Sequence, residues 1–284
     1  MTLSIGFSPC PNDTFIFDAL VNGHIHTDGI EFEPVLEDVQ TLNEWAVSGK
    51  LDICKISYGA LPMVTEHYAA LHCGGALGKG VGPLLISKKE IPDAAIKRCM
   101  VAVPGQNTTA NVLFSLAYPE AIHKVFLRYD QVEDFVASTD LSINDPELYK
   151  LGVIIHENRF TYASKGLVKL RDLGEAWEEN TGYPIPLGCI VVRKDMDHNL
   201  QTKIEELIRE SLKFSWDHYP ELSDFVKTNA QEMDEAVMRQ HIELYVNDYT
   251  RDLGLTGMEA VKKFIQVHTS INKIPVNMDE LFIG

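Results

Sequence analysis

The apolar run Gly152-Val153-Ile154-Ile155 ends in His156. A buried strand that delivers an imidazole at its end is suited to proton transfer, because a histidine takes up and releases a proton near neutral pH without a cofactor. The same position also fits a histidine that is merely hydrogen-bonded into the fold. Two sets of small polar residues, Asn12-Asp13-Thr14 and Asn107-Thr108-Thr109, each lie between a proline-containing loop and a helical pattern. The free N–H groups and positive dipole end of a helix start can hold a carboxylate or phosphate. Asn, Asp and Thr are also the residues that simply cap helices. Lys55 ends a β-like run and is a candidate charge partner for an anion, or an ordinary surface lysine. Cys10 stands between Pro9 and Pro11. A helix start beside it would favour its thiolate and make it a nucleophile, and the plainer reading is a constrained loop cysteine. His24-x-His26 lacks a third ligand nearby and is weak evidence for metal. The glycines of Gly74–Gly80 match neither a phosphate loop nor a dinucleotide fingerprint and read as a flexible loop.

The elements that must position these residues alternate strand and helix, the order of an α/β protein. Leu3–Phe7, Ile30–Leu36 and Leu51–Tyr58 are β-like, and Thr14–Val21 and Val39–Val47 are helical. The pattern then repeats in part. Met100–Val103, a Pro104-Gly105 loop, Asn107-Thr108-Thr109 and a helix through Leu116 echo Leu3–Phe7, its proline loop, Asn12-Asp13-Thr14 and the helix after it. The first unit's last strand ends Lys55-Ile56-Ser57, and the second's ends Ile154-Ile155-His156. A longer stretch, Asp140–Tyr149, reads as a solvated surface insertion. Two apolar strands ending in basic residues, Gly82–Lys89 and Leu187–Lys194, bracket the second unit and read as the crossings between lobes. An outer lobe of residues 1–87 and 191–284 and an inserted lobe of 88–190 follow. The tail is helical, with Ile204, Leu207, Ile208, Leu212 and Trp216 at helical spacing. Thr256-Gly257-Met258-Glu259 has the form of a capping box.

In open α/β sheets, ligands bind beyond the carboxyl ends of the strands. That rule selects Ser8–Thr14 and Lys55–Tyr58 in one lobe, with Gln106–Thr109 and His156–Arg159 in the other, facing a cleft. Asn12, Asp13, Asn43, Lys55, Ile56, Ser57, Thr108, Thr109 and Arg159 are the substrate-binding candidates.

The 284 residues carry 25 basic and 41 acidic side chains, a net charge of −16. Such a surface repels nucleic acid and anionic lipid, so an anionic ligand needs locally placed donors. No run approaches the roughly 20 apolar residues of a membrane helix. The first residues have neither a basic nor a long apolar segment, as expected of a cytoplasmic chain. Five widely spaced cysteines without a C-x-x-C argue for reduced thiols and against a structural zinc site.

Several motifs together resemble the 1,4-dihydroxy-6-naphthoate synthase family of the futalosine route to menaquinone. They are Ser8–Phe17, Leu36-Glu37-Asp38-Val39, Lys55-Ile56-Ser57-Tyr58, Gly74-Gly75-Ala76-Leu77-Gly78, Val103-Pro104-Gly105 and Ile154–Tyr162. The resemblance runs through almost the whole chain. It implies the type II periplasmic-binding-protein fold, two α/β lobes with a cleft between them. It further implies a carbon–carbon lyase that cleaves cyclic dehypoxanthinylfutalosine to 1,4-dihydroxy-6-naphthoate and dihydroxyacetone. No metal or organic cofactor is implied. His156 falls at the family's base, and Lys55-Ile56-Ser57 and Thr108-Thr109 at its substrate contacts. The partner is then a small anionic substrate, with the chain a monomer or homodimer. A transporter's solute-binding protein, or another enzyme of the same pathway and fold, are the rival readings.

Overall fold

Strand β1 (Thr2–Phe7) opens a computed structural model that describes residues 1–143, 145–231 and 234–284. Ten more strands follow: β2 (Glu31–Leu36), β3 (Ile53–Ser57), β4 (Tyr68–Ala70), β5 (Ala76–Gly78), β6 (Leu84–Ser87), β7 (Met100–Val103), β8 (Lys124–Phe126), β9 (Lys150–Ile154), β10 (Val168–Asp172) and β11 (Ile185–Arg193). The chain divides into two compact units, Met1–Gly78 with Pro186–Gly284, and Lys79–Ile185.

The first unit holds the sheet β2-β1-β3-β11-β4, with β5 also on β11. β1 runs parallel to β2 and β3, and β11 runs antiparallel to β3 and β4. Helix α1 (Pro11–Val21) follows β1, and α2 (Val39–Val47) follows β2, capped by the Asp38 carboxylate on the amides of Gln40 and Thr41. Ile5, Phe7, Ile53 and Ile190 from the strands are buried in one core with Phe17 of α1 and with Ile204, Leu207, Ile208 and Leu212 of the helix His198–His218. The helical apolar spacing read in the tail thus belongs to a face that covers the first unit's sheet.

The second unit holds β8-β7-β9-β6-β10. Its directions repeat those of the first: β7 is parallel to β8 and β9, and β6 is antiparallel to β9 and β10. β6 and β11 therefore occupy equivalent places in separate sheets. That equivalence explains their similar sequences, and it corrects the expectation that they run together as crossings between lobes. The chain instead passes from one unit to the other after Gly78 and after Ile185.

Other local expectations shift. Ala76–Gly78 is a strand on β11 rather than a flexible loop. The helix Gly254–Asn272 begins before Thr256, and its N-cap, Leu253, makes no side-chain cap bond, so the capping box does not form. Between Asp140 and Tyr149, Leu141, Ser142, Ile143 and Leu148 are exposed, while Tyr149 is buried; Asn144 lies outside the described residues. Among the described residues, no helix is long and apolar enough to cross a membrane.

β9 leads to His156 and is packed closely against the helix Val132–Ala137. A Cβ on Gly152 would stand 2.5 Å from Val132 Cγ1 and 2.7 Å from Val136 Cγ2. Gly152→Ala is therefore expected to cost about 1–3 kcal/mol by overpacking. Denaturant unfolding in a Trp45→Phe, Trp216→Phe background, which leaves Trp177 of this unit as the reporter, checks it. Unchanged stability would show that the helix can retreat freely.

Candidate active site

In the first unit, β1 and β3 are parallel neighbours, with Gly6 beside Cys54. The loop after β1 and the end of β3 consequently meet at one sheet edge. Pro11 at the first helical position suits its fixed φ, and the chain enters α1 through extended Cys10, the N-cap. Asn12 and Asp13 thus lie inside the first turn and are not the caps expected. The Thr14 hydroxyl donates back to the Cys10 carbonyl at 3.1 Å. Cys10 itself is fully buried, and none of the five cysteines is in a disulfide.

Asp13 is the hub of this cluster. Its Oδ1 accepts from Asn12 Nδ2 at 2.8 Å and lies 3.0 Å from Lys55 Nζ, and its Oδ2 accepts from the Ser8 hydroxyl at 2.8 Å. Lys55 also donates to the Gly74 carbonyl at 2.8 Å. Both members of the ion pair are buried. The charge of Lys55 is balanced within the unit, which differs from the lone cation the sequence suggests. Asn43 of α2 braces the end of β3: its Oδ1 accepts from the Ser57 amide at 2.9 Å, and its Nδ2 donates to the Ser57 hydroxyl at 3.3 Å. Ile56 is buried in the strand between Lys55 and Ser57. Burial pushes the neighbouring Cys54 and Cys189 thiols and the Tyr58 phenol well above their usual ranges, which keeps them neutral. Among the described residues, Asn12 Oδ1 and Tyr58 Oη are buried with no hydrogen-bond partner.

The second unit repeats the geometry. β7 and β9 are parallel, with Ala102 beside Gly152, so the loop after β7 and the residues after β9 share a sheet edge. Thr108 caps the helix Thr109–Ala117, its hydroxyl accepting from the Asn111 amide at 3.2 Å and donating to the Gly105 carbonyl at 2.9 Å. Here the helix start predicted from sequence stands where expected, with Thr108 and Thr109 both buried. His156 is half-buried, two residues past β9, with φ 56°. A left-handed backbone is uncommon for a side chain of this size, though histidine adopts it more readily than most. The edge of the ring pair with Tyr129 closes to 5.0 Å between centroids.

Beyond His156 the chain is tied on two sides. The Arg159 amide donates to the His156 carbonyl at 3.2 Å. The Arg159 guanidinium reaches the Gly82 carbonyl, the Gly80 carbonyl at 2.9 Å and Asp172 Oδ2 at 2.7 Å. Asp172 in turn caps the helix Leu173–Thr181 through the amides of Gly174 and Glu175. Arg159 is thus held as a brace inside the unit, with much of its donor capacity already used. Asn158 Nδ2 donates to Glu133 Oε2 at 2.5 Å. Glu133 is not among the residues that sequence reading picks out, since an acid on a short helix looks solvated. Its spacing of four from Tyr129 is the faint signal available.

His24 and His26 do not converge. His24 stacks on Phe214 at 5.5 Å, and exposed His26 sits 3.0 Å from Asp28.

Comparison with known proteins agrees with this architecture. A family model for menaquinone biosynthesis matches residues 3–269. The chain is 44% identical over 261 residues to a 1,4-dihydroxy-6-naphthoate synthase from Thermus thermophilus, covering 92% of each chain. It is 40% identical over 266 residues to the enzyme of the same name from Streptomyces coelicolor, covering 92% of this chain and 90% of that one. An alkanesulfonate-binding protein from Xanthomonas axonopodis, solved with MOPS bound, shares the fold at a TM-score of 0.71 and 12% identity, over 99% of this chain and 96% of that one. The fold is that of the periplasmic binding proteins, and the chain belongs to the menaquinone biosynthesis family, with enzymes named 1,4-dihydroxy-6-naphthoate synthase among its relatives.

Proposed function

We propose that the protein is a 1,4-dihydroxy-6-naphthoate synthase, a carbon–carbon lyase of the futalosine route that acts in the cytoplasm. It would cleave cyclic dehypoxanthinylfutalosine to 1,4-dihydroxy-6-naphthoate and dihydroxyacetone. The observation that carries the reading is the identity to two enzymes of that name over 92% of the chain. His156 is the proposed general base. Its position past the end of β9, in a left-handed backbone, is the kind of local strain that collects at functional sites. Proton removal by the imidazole starts the fragmentation, and the gain of a naphthalenoid ring drives it. The remaining work is to hold the substrate and exclude water.

The proposed substrate contacts are Asn12, Asp13, Asn43, Lys55, Ile56 and Ser57 of the first unit, with Thr108, Thr109 and Arg159 of the second. The amides at the start of the helix Thr109–Ala117 suit a substrate carboxylate. The purified protein incubated with cyclic dehypoxanthinylfutalosine is expected to release the naphthoate. Absence of product, with the substrate intact, would refute the assignment.

Proton transfer followed by fragmentation requires no metal. Turnover is therefore expected to persist after dialysis against a chelator. A loss of rate that a divalent ion restores would overturn this.

A further inference from the structure

We propose that Glu133 is the positioning residue for His156, acting through Asn158; the proposal rests on the reading of His156 as the base. Glu133 stands on the helix Val132–Ala137, four residues after Tyr129, whose ring meets the His156 ring. One short segment thus touches both the imidazole and the side chain of Asn158, two residues further on. Glu133 is 1% exposed. Its Oε2 accepts from Asn158 at 2.5 Å and lies 2.5 Å from Lys165 Nζ, while its Oε1 is buried with no partner among the described residues.

Burying a carboxylate costs free energy, and one left with an unpaired oxygen costs more. An apolar side chain at this position would fill the space without that cost. The carboxylate does what an apolar group cannot: it fixes Asn158 in place by a charge-assisted bond. That matters because His156 holds φ 56°. A non-glycine residue gains by leaving this conformation unless its neighbours hold it there. The Arg159 amide on the His156 carbonyl closes the turn from one side, and Asn158 on Glu133 ties it from the other. Releasing Asn158 lets the backbone at 156 relax and swings the ring away from its working position. A displacement of about 1 Å costs up to roughly 10²-fold in rate.

Two variants test this: Glu133→Gln, which removes the charge, and Asn158→Ala, which removes the donor and leaves the Glu133–Lys165 pair. Each is expected to lower kcat roughly 10- to 100-fold with little change in KM. In a His156→Asn background, neither should lower the rate further, because a residue that acts through the imidazole has nothing left to position. The ring is also read without turnover, by NMR of histidine-labelled protein, with the His156 signal identified by its loss in His156→Asn. Glu133→Gln should shift or split that signal and leave the other histidine signals in place. An unmoved ring signal, or an equal rate loss in both backgrounds, overturns the positioning role. Full turnover by His156→Asn alone would instead sink the assignment of the base, and the ring signal tells the two failures apart.

Discussion

His156→Asn is expected to lower kcat by roughly 10²-fold or more, the size of effect that loss of a general base produces. Asparagine suits the test for two reasons. It keeps much of the size and polarity of the ring without a titratable nitrogen. It is also one of the few residues that enters the left-handed region readily, so the backbone at φ 56° need not move. Substrate affinity should change far less than the rate, because the proposed substrate contacts are carried by other side chains. Calorimetric affinity measured beside a single-turnover rate separates the two effects. A variant that turns over at a near-normal rate would remove His156 from the mechanism. A variant that loses its fold would mark the histidine as structural.

Lys55→Met is expected to destabilise the first unit by about 3–5 kcal/mol, the cost of leaving a buried charge without its partner. The methionine fills much of the same space, so packing loss contributes little. Asp13 would keep its bonds from Asn12 and Ser8 but lose the ammonium 3.0 Å away. Asp13→Asn strands Lys55 in the same manner. The combination of Lys55→Met with Asp13→Asn should recover most of the loss, since no unpaired charge then remains. Urea unfolding of a Trp177→Phe protein reports on the first unit alone, through Trp45 and Trp216. A loss below about 1 kcal/mol in Lys55→Met would show that water reaches the pair and screens it.

The two halves of the protein were legible to different degrees. Strand, proline loop and helix could be read twice in the chain because apolar alternation and helical spacing are local signals. They led to β1 with α1, to β7 with the helix Thr109–Ala117, and to β9, with His156 two residues past its end. The likeness of Gly82–Lys89 to Leu187–Lys194 was also visible, but its meaning was not. Sequence alone offered two crossings, whereas the pairing of β6 with β9 and of β11 with β3 makes them equivalent strands of separate sheets. Pairing partners are distant in sequence, and nothing in a strand's own residues names them.

The sequence by itself determined which residues could do chemistry and the order of the elements that carry them, because both are written in residue type and short-range period. Only the tertiary structure decided the state of the charged groups. Lys55 could be a free cation or half of an ion pair until the helix carrying Asp13 lay beside β3. Arg159 could be a free guanidinium until Gly80, Gly82 and Asp172 took up much of its donor capacity. Glu133 could be solvated until Asn158 and Lys165 closed on it. The physical reason is the same in each case. A charge's burial and its partner are set by what packs against it, and that comes from residues 13 to 79 positions away in the chain.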